Sequence, residues 1–220
     1  KSFVIIGNMN AITYKEIFPL IKENKMWLGA TGNGNDMVFA VPSGIEIAES
    51  DKQKAARLGY VGNYTRLGNS CWFTNLDHGR RHKPLPLMTK ADIIKFSTKK
   101  PFEKYDNYNA IEVSFVKNIP GDYNGVMGVP ISFLDKYNPE QFEILGATQR
   151  GCHNEVPDTK KYDEYWEVRQ SGQKTGSSGG KTNENANLVG NDGKKNYFIN
   201  KEGRVIQSAY QRIFIKHKKK

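Results

Sequence analysis

The chain has 220 residues, enough for one domain with a core of its own, or for one domain and a small appendage. No apolar run approaches the ~18 residues of a membrane-crossing helix, and no secretory leader is visible. Lysine and arginine total 33 against 23 aspartate and glutamate, a formal charge of +10, which suits a polyanionic partner and nucleic acid first. Two cysteines, Cys71 and Cys152, make no disulfide framework and point to a reducing, cytoplasmic setting.

The chain starts at Lys1 and enters at once into Phe3-Val4-Ile5-Ile6, which suggests a truncated or processed chain. That β-branched run, stopped by Gly7-Asn8, has the pattern of a central parallel strand buried on both faces. Residues 12–22 predict a helix, because Tyr14, Ile17, Phe18 and Ile21 share one face. Thr13 and Glu16 have capping-box spacing, and Pro19 predicts a kink or break. Met26–Leu28 and Met37–Val41 are candidate strands around a Gly/Asn-rich loop, and Cys71–Asn75 is another. Residues 43–69 are polar and poorly periodic.

Asn75–Lys83 is a basic loop carrying Arg80, Arg81 and Lys83. Residues 93–108 interleave lysines with aromatics: Lys95, Phe96, Lys99, Lys100, Phe102, Lys104, Tyr105 and Tyr108. Residues 110–119 predict a strand and turn, 131–137 one or two helical turns, and 142–146 a strand. Residues 169–196 are rich in Gly, Ser, Asn and Lys and predict a flexible loop. A hairpin is expected over 197–218, turning at Lys201-Glu202-Gly203 and returning along 209–215.

Several strings carry a resemblance. They are IIGNMNAITYKEIFPLIKENKMWLG (5–29), WFTNLDH (72–78), KYDNYNAIEV (104–113), DYNGVMGVPISFLDKYNPEQFEILG (122–146) and AYQRIFIK (209–216). Together they resemble the EcoRI-type adenine-specific DNA methyltransferases. The resemblance implies an α/β, class I (Rossmann-like) fold, S-adenosylmethionine as donor, and methylation of adenine N6 in double-stranded DNA beside a restriction system. It further implies that the target base leaves the helix before reacting.

The family's Asn-Pro-Pro-Phe tetrad and donor-binding strand lie upstream of the IIGN strand, and neither is in this chain. No Pro-Pro pair occurs, and Asn138-Pro139-Glu140-Gln141-Phe142 is interrupted and matches a downstream family segment. Gly32-Asn33-Gly34 follows no strand and opens no helix, so it is no donor-binding turn. The expectation is therefore the C-terminal portion of such an enzyme, whose upstream half holds the donor and the catalytic tetrad. Residues 1–84 are expected to be late sheet strands and a helix, with Cys71–Asn75 as the reversed strand. Residues 85–220 are expected to be an α+β target-recognition region. A non-catalytic DNA-binding module is the competing reading, and no cofactor is expected on the fragment alone.

Asn8 and Asn10, just past the first strand, either wall the adenine pocket or serve as turn residues. Arg80, Arg81, Lys83, Lys99, Lys100 and Lys104 either contact DNA or form a solvated surface. Lys174, Lys181 and Asn183 stand in a stretch that either orders on DNA or stays a surface loop. Trp27, Trp72, Phe73 and Trp166 either stack on a base or pack in the core. Cys71, His78 and His82 lack a second cysteine pair at zinc spacing, so no metal is expected.

Overall fold

The computed structural model describes residues 1–30, 37–98, 100–148, 162, 164–178, 185–190, 196–209 and 211–218. The chain opens with β1 (Val4–Asn8), a 3-10 turn (Met9–Thr13), α1 (Phe18–Lys22) and β2 (Trp27–Leu28). Then come β3 (Met37–Ala40), α2 (Glu49–Ala56), β4 (Tyr64–Leu67) and β5 (Ser70–Thr74). A 3-10 turn (Gly79–His82) leads to α3 (Lys90–Phe96), β6 (Ile111–Glu112) and β7 (Met127–Pro130). A 3-10 helix (Ile131–Lys136) precedes β8 (Phe142–Ala147). The remainder is β9 (Tyr165–Arg169), β10 (Lys174–Ser178), β11 (Asn187–Val189), β12 (Asn196–Asn200), β13 (Val205–Ser208) and β14 (Arg212–His217). The fold is mixed α/β. No helix among the described residues is long and apolar enough to cross a membrane.

The first sheet has the order β1-β5-β2, with β5 antiparallel to both neighbours. β1 is therefore an edge strand with an antiparallel neighbour, which corrects the expectation of a central parallel strand. Its apolar faces are bare: Val4, Ile5 and Ile6 are 54, 52 and 42% exposed. A continuous apolar run reports that both faces want cover, but it cannot say whether the cover is in the same chain. β5 is the central strand, and Gly7 lets β1 approach it. A Cβ at Gly7 would come within 2.8 Å of the Phe73 ring.

The helix expected over 12–22 is shorter. Thr13 is buried and donates its hydroxyl to the Asn10 carbonyl at 3.1 Å, and the N-cap of α1 is Ile17. α1 begins at Phe18, which places Pro19 in the first turn. There a missing N–H costs no bond, so the proline starts the helix rather than kinking it. The polar 43–69 stretch holds α2 and β4, and β4 pairs antiparallel with β3 in a separate two-stranded sheet. α2 was not legible because its only buried residue is Ala55, which leaves no apolar stripe.

The second large sheet has the order β6-β7-β14-β8, with β6 parallel to β7 and β14 antiparallel between β7 and β8. One core joins it to the first sheet. Ile12, Phe18, Leu28 and Phe73 pack in the same cluster as Met127, Val129, Phe133, Phe142, Ile213 and Ile215. Phe133 meets Phe142 edge-on at 5.3 Å, and both are fully buried. Each buried ring of this kind stabilises the fold by about 1.5–3 kcal/mol.

The third sheet has the order β10-β9-β12-β13-β11. It corrects two expectations. Strands β10 and β11 lie inside the stretch expected to be one flexible loop. The hairpin turning at 201–203 returns as β13, not along 209–215, and β14 leaves for the second sheet. Gly203 occupies the left-handed region at φ 73°, which is the turn signal the sequence carried.

Candidate nucleic-acid interface

The basic loop after β5 is held at several points. Trp27 donates its indole N–H to the Leu76 carbonyl at 2.9 Å. The Arg81 guanidinium lies 3.5 Å above the Trp27 ring and reaches Asp77 at 3.0 Å and the side chain of Asn24. Arg81 is only 7% exposed. Arg80 donates to the Ala30 carbonyl at 2.8 Å and to Asp135 at 2.5 Å. His82 sits between Asp77, at 2.9 Å, and Glu140, at 2.7 Å. The bond to Asp77, then that to Glu140, raises the imidazole above its ordinary value, while His82 holds the Asp77 carboxyl below its own. His78 bonds the Leu28 carbonyl at 2.9 Å. Two of the loop's three expected contact cations, Arg80 and Arg81, are thus already engaged within the protein, and Lys83 is exposed.

The other candidates are dispersed. The Asn8 side chain accepts from the Asn10 N–H at 2.8 Å and from the Asn69 amide at 3.1 Å, which caps the turn leaving β1. Asn10 is exposed beside it. Phe73 is in the core, and Trp72 is half-buried. Cys71 is fully buried; burial first, and Asp135 second, push its thiol up to about 11. Among the described residues no cluster of His, Cys, Asp and Glu is arranged to hold a metal. Lys174 is exposed, with its ammonium 3.8 Å from the Trp166 ring centre. Lys100 and Lys104 are exposed as well. Lys99, Lys181 and Asn183 lie outside the described residues.

A groove of about 930 Å³ lies between α3 with its following loop and the β11–β13 edge of the third sheet. Phe96 and Phe115 line it and are 73 and 61% exposed. Lys95 and Lys117 lie 5.6 and 5.8 Å from those two rings, and Lys100 lines the groove too. At the floor Arg212 meets Glu112 in a two-pronged pair at 2.7 and 3.0 Å, and Tyr105 donates its hydroxyl to the same carboxylate. Burial first, and Glu112 second, push the Tyr105 phenol well above its usual range.

The lysine–aromatic interleaving of residues 93–108 points to this groove. α3 explains its exposure: Thr89 caps the helix, accepting from the Asp92 N–H at 3.1 Å, and Ile93 is the buried anchor. That registration turns Phe96 outward. Phe115, Glu112 and Arg212 were missed by sequence reasoning. No local pattern marks an ion pair whose partners are 100 residues apart.

Residues 1–218 match the family described as adenine-specific methyltransferase EcoRI. The chain is 51% identical over 146 residues to the type II methyltransferase M.EcoRI of Escherichia coli, covering 66% of this chain and 42% of that protein. It is 37% identical over 146 residues to the type II methyltransferase M.MpnI of Mycoplasma pneumoniae and 36% over 148 residues to M.MgeORF184P of Mycoplasma genitalium. Each of those two matches covers 66% of this chain and 44% of the relative. The matched part is thus less than half the length of these curated relatives. No solved structure matches.

Proposed function

This chain belongs to the EcoRI family of adenine-specific methyltransferases, and we propose that it is the DNA-handling part of an enzyme methylating adenine N6 in duplex DNA. The match over residues 1–218 carries this reading. The donor would be S-adenosylmethionine, and the setting a restriction–modification pair, as the relatives' type II names suggest.

The first sheet supports the class I reading of residues 1–84. β5 runs antiparallel between β1 and β2, the placement expected of the reversed strand in such a sheet. β1 keeps a bare edge and exposed Val4, Ile5 and Ile6. An upstream half adding a parallel strand and a helix there would cover both, which unpaired edges favour. Residues 85–220, with α3, the groove and the third sheet, would then be the target-recognition region.

The glycine at the end of β1, which leads from the first sheet into the 3-10 turn, does not fit the donor. The space above Gly7 is filled by Phe73, and the Asn8 side chain is spent on the next turn. A donor cradle needs an open glycine turn with unspent N–H groups at a helix start. Donor binding is therefore assigned to the upstream half.

Exposed cations, with Lys100 on the groove itself, support a DNA-contacting surface. Lys83, Lys100, Lys104 and Lys174 are the exposed cations we assign to phosphate, with Lys99, Lys181 and Asn183 in the adjoining segments. Arg80 joins them if DNA competes Asp135 away. Arg81, buried on Trp27, shapes the loop instead. Asn10 is the candidate for the adenine-pocket wall, and Asn8 holds the turn beneath it.

The test is methyl transfer from labelled S-adenosylmethionine to adenine in duplex DNA. The chain extended by its upstream half is expected to transfer. Residues 1–220 alone are expected not to, while still binding duplex DNA with marked salt sensitivity. Robust transfer by residues 1–220 overturns the division of labour. DNA binding without transfer by the extended protein favours a non-catalytic binding module.

A further inference from the structure

Phe96 and Phe115 are out of place on a folded surface. Each ring presents most of its area to water, although a phenylalanine buries about 150–250 Å² when it finds a partner. They are not scattered. Both line one groove, the first from the end of α3 and the second from the residue that enters the 3-10 turn Val116–Asn118. Two exposed rings within one concavity mark an interaction site more strongly than two isolated ones.

The charges around them select the partner. Lys95 and Lys117 each stand within about 6 Å of one ring, and Lys100 lines the same wall. Of the two acids lining the groove, Glu112 is neutralised by Arg212, which leaves Glu103. The surroundings are net positive and the rings are flat and largely exposed. A polyanion that carries its own flat rings satisfies both features, and a nucleic acid strand is that chemistry. An acidic peptide would meet the lysines but offer the phenyl faces little.

The backbone adds an independent mark. Phe102, on the loop joining α3 to the groove wall, has φ 64°. A bulky residue rarely takes the left-handed region, and such departures gather at binding sites. Here the departure follows Pro101 and lines the groove with Phe102, over which Lys90 lies at 5.6 Å.

We infer that Phe96 and Phe115 stack on nucleobases of locally opened duplex DNA seated in this groove, while Lys95, Lys100 and Lys117 hold the flanking phosphates. The inference rests on the DNA-handling role proposed above and assigns it a base-contacting pair. Stacking is indifferent to base identity, because every base has a π-face. The pair would therefore supply grip and strand opening rather than sequence readout.

The experiment measures binding by the full-length protein that carries this chain, as wild type, Phe96→Ala, Phe115→Ala and the double variant. Probes are a 30-base-pair duplex, the same duplex with one internal mismatch, and the matching single strand, each over a salt series. Each alanine variant is expected to bind about tenfold more weakly at an unchanged salt slope, as loss of a neutral stacking contact requires. The wild type is expected to favour the mismatched duplex, where opening costs less, and the double variant to lose that preference. Phe115→Trp should keep affinity and Phe115→Leu should not. Lys95→Gln and Lys117→Gln should each lower the salt slope by about one.

Outcomes separate the inference from the reading beneath it. Wild-type affinity in the double variant, with the lysine variants weakened, sinks base stacking and leaves the DNA role standing. Failure of the wild type to bind any probe sinks the DNA role itself. Loss confined to the single strand overturns the duplex as occupant. Both rings are exposed, so unchanged melting temperatures are expected; a fall in melting that matches the loss of binding would make the two residues structural and overturn the inference.

Discussion

Arg212 and Glu112 are 100 positions apart in the chain and meet side by side, with guanidinium nitrogens 2.7 and 3.0 Å from the two carboxylate oxygens. Glu112 ends β6 and Arg212 begins β14, on either side of β7. Tyr105 closes the group from above Gly128, where a Cβ would collide with the tyrosine ring. A buried pair of this kind is costly to break from one side, because the remaining charge keeps its desolvation penalty. Glu112→Ala and Arg212→Ala are each expected to lower unfolding stability by about 3–5 kcal/mol. The double change Glu112→Leu with Arg212→Leu should cost less than either. Urea unfolding of the three variants checks this, and a double variant worse than both singles contradicts it.

The basic loop separates two neighbouring arginines. Arg81→Ala removes a ring contact and two charge-assisted bonds from a buried site, and is expected to cost about 2–4 kcal/mol. Arg80→Ala loses a half-exposed pair and should cost no more than about 1 kcal/mol. Their effects on DNA should run the other way. Arg80→Ala should flatten the salt slope of binding, whereas Arg81→Lys should leave it unchanged while still weakening the fold. Thermal melts and salt titrations together test the ordering.

The Asp77–His82–Glu140 clamp depends on pH from both sides. His82 is raised above its ordinary value of 6.5, so its contribution is complete below 6.5 and disappears as pH rises through the higher folded value. Asp77 is lowered from 3.8, so its contribution holds above 3.8 and is lost as pH falls through the lower folded value. The clamp is strongest between those two limits. Melting temperature followed from pH 5 to 9 should fall more steeply in the wild type than in His82→Gln. Parallel curves would show that the clamp contributes nothing.

Cys71 should be chemically silent. With its thiol pushed up to about 11, only about one in a thousand molecules carries the thiolate at pH 8, and the group is also fully buried. In a Cys152→Ser background, a thiol reagent at pH 8 should leave the folded protein unlabelled and react fully once denaturant is added. Rapid labelling of the folded variant would contradict both the burial and the shift.

Much of this molecule follows from local pattern. The strand at β5, the turn at Gly203, the helical turn over 131–136 and the lysine–aromatic interleaving that marks the groove are all properties of short windows, set by side-chain period, turn chemistry and charge. The family resemblance is also a property of the linear text, because it rests on long strings. Tertiary structure alone decided what those windows face. Ile5 reads as core and is exposed, on a strand at the edge of its sheet. Arg81 reads as surface and is buried, because Trp27, Asn24 and Asp77 converge on it. Phe115 carries no local signal, and Glu112 finds its countercharge only when β14 returns beside β7. Periodicity reports that a side chain wants water or wants cover. Which of the two it receives depends on contacts between segments far apart in the chain, and those exist only in the folded molecule.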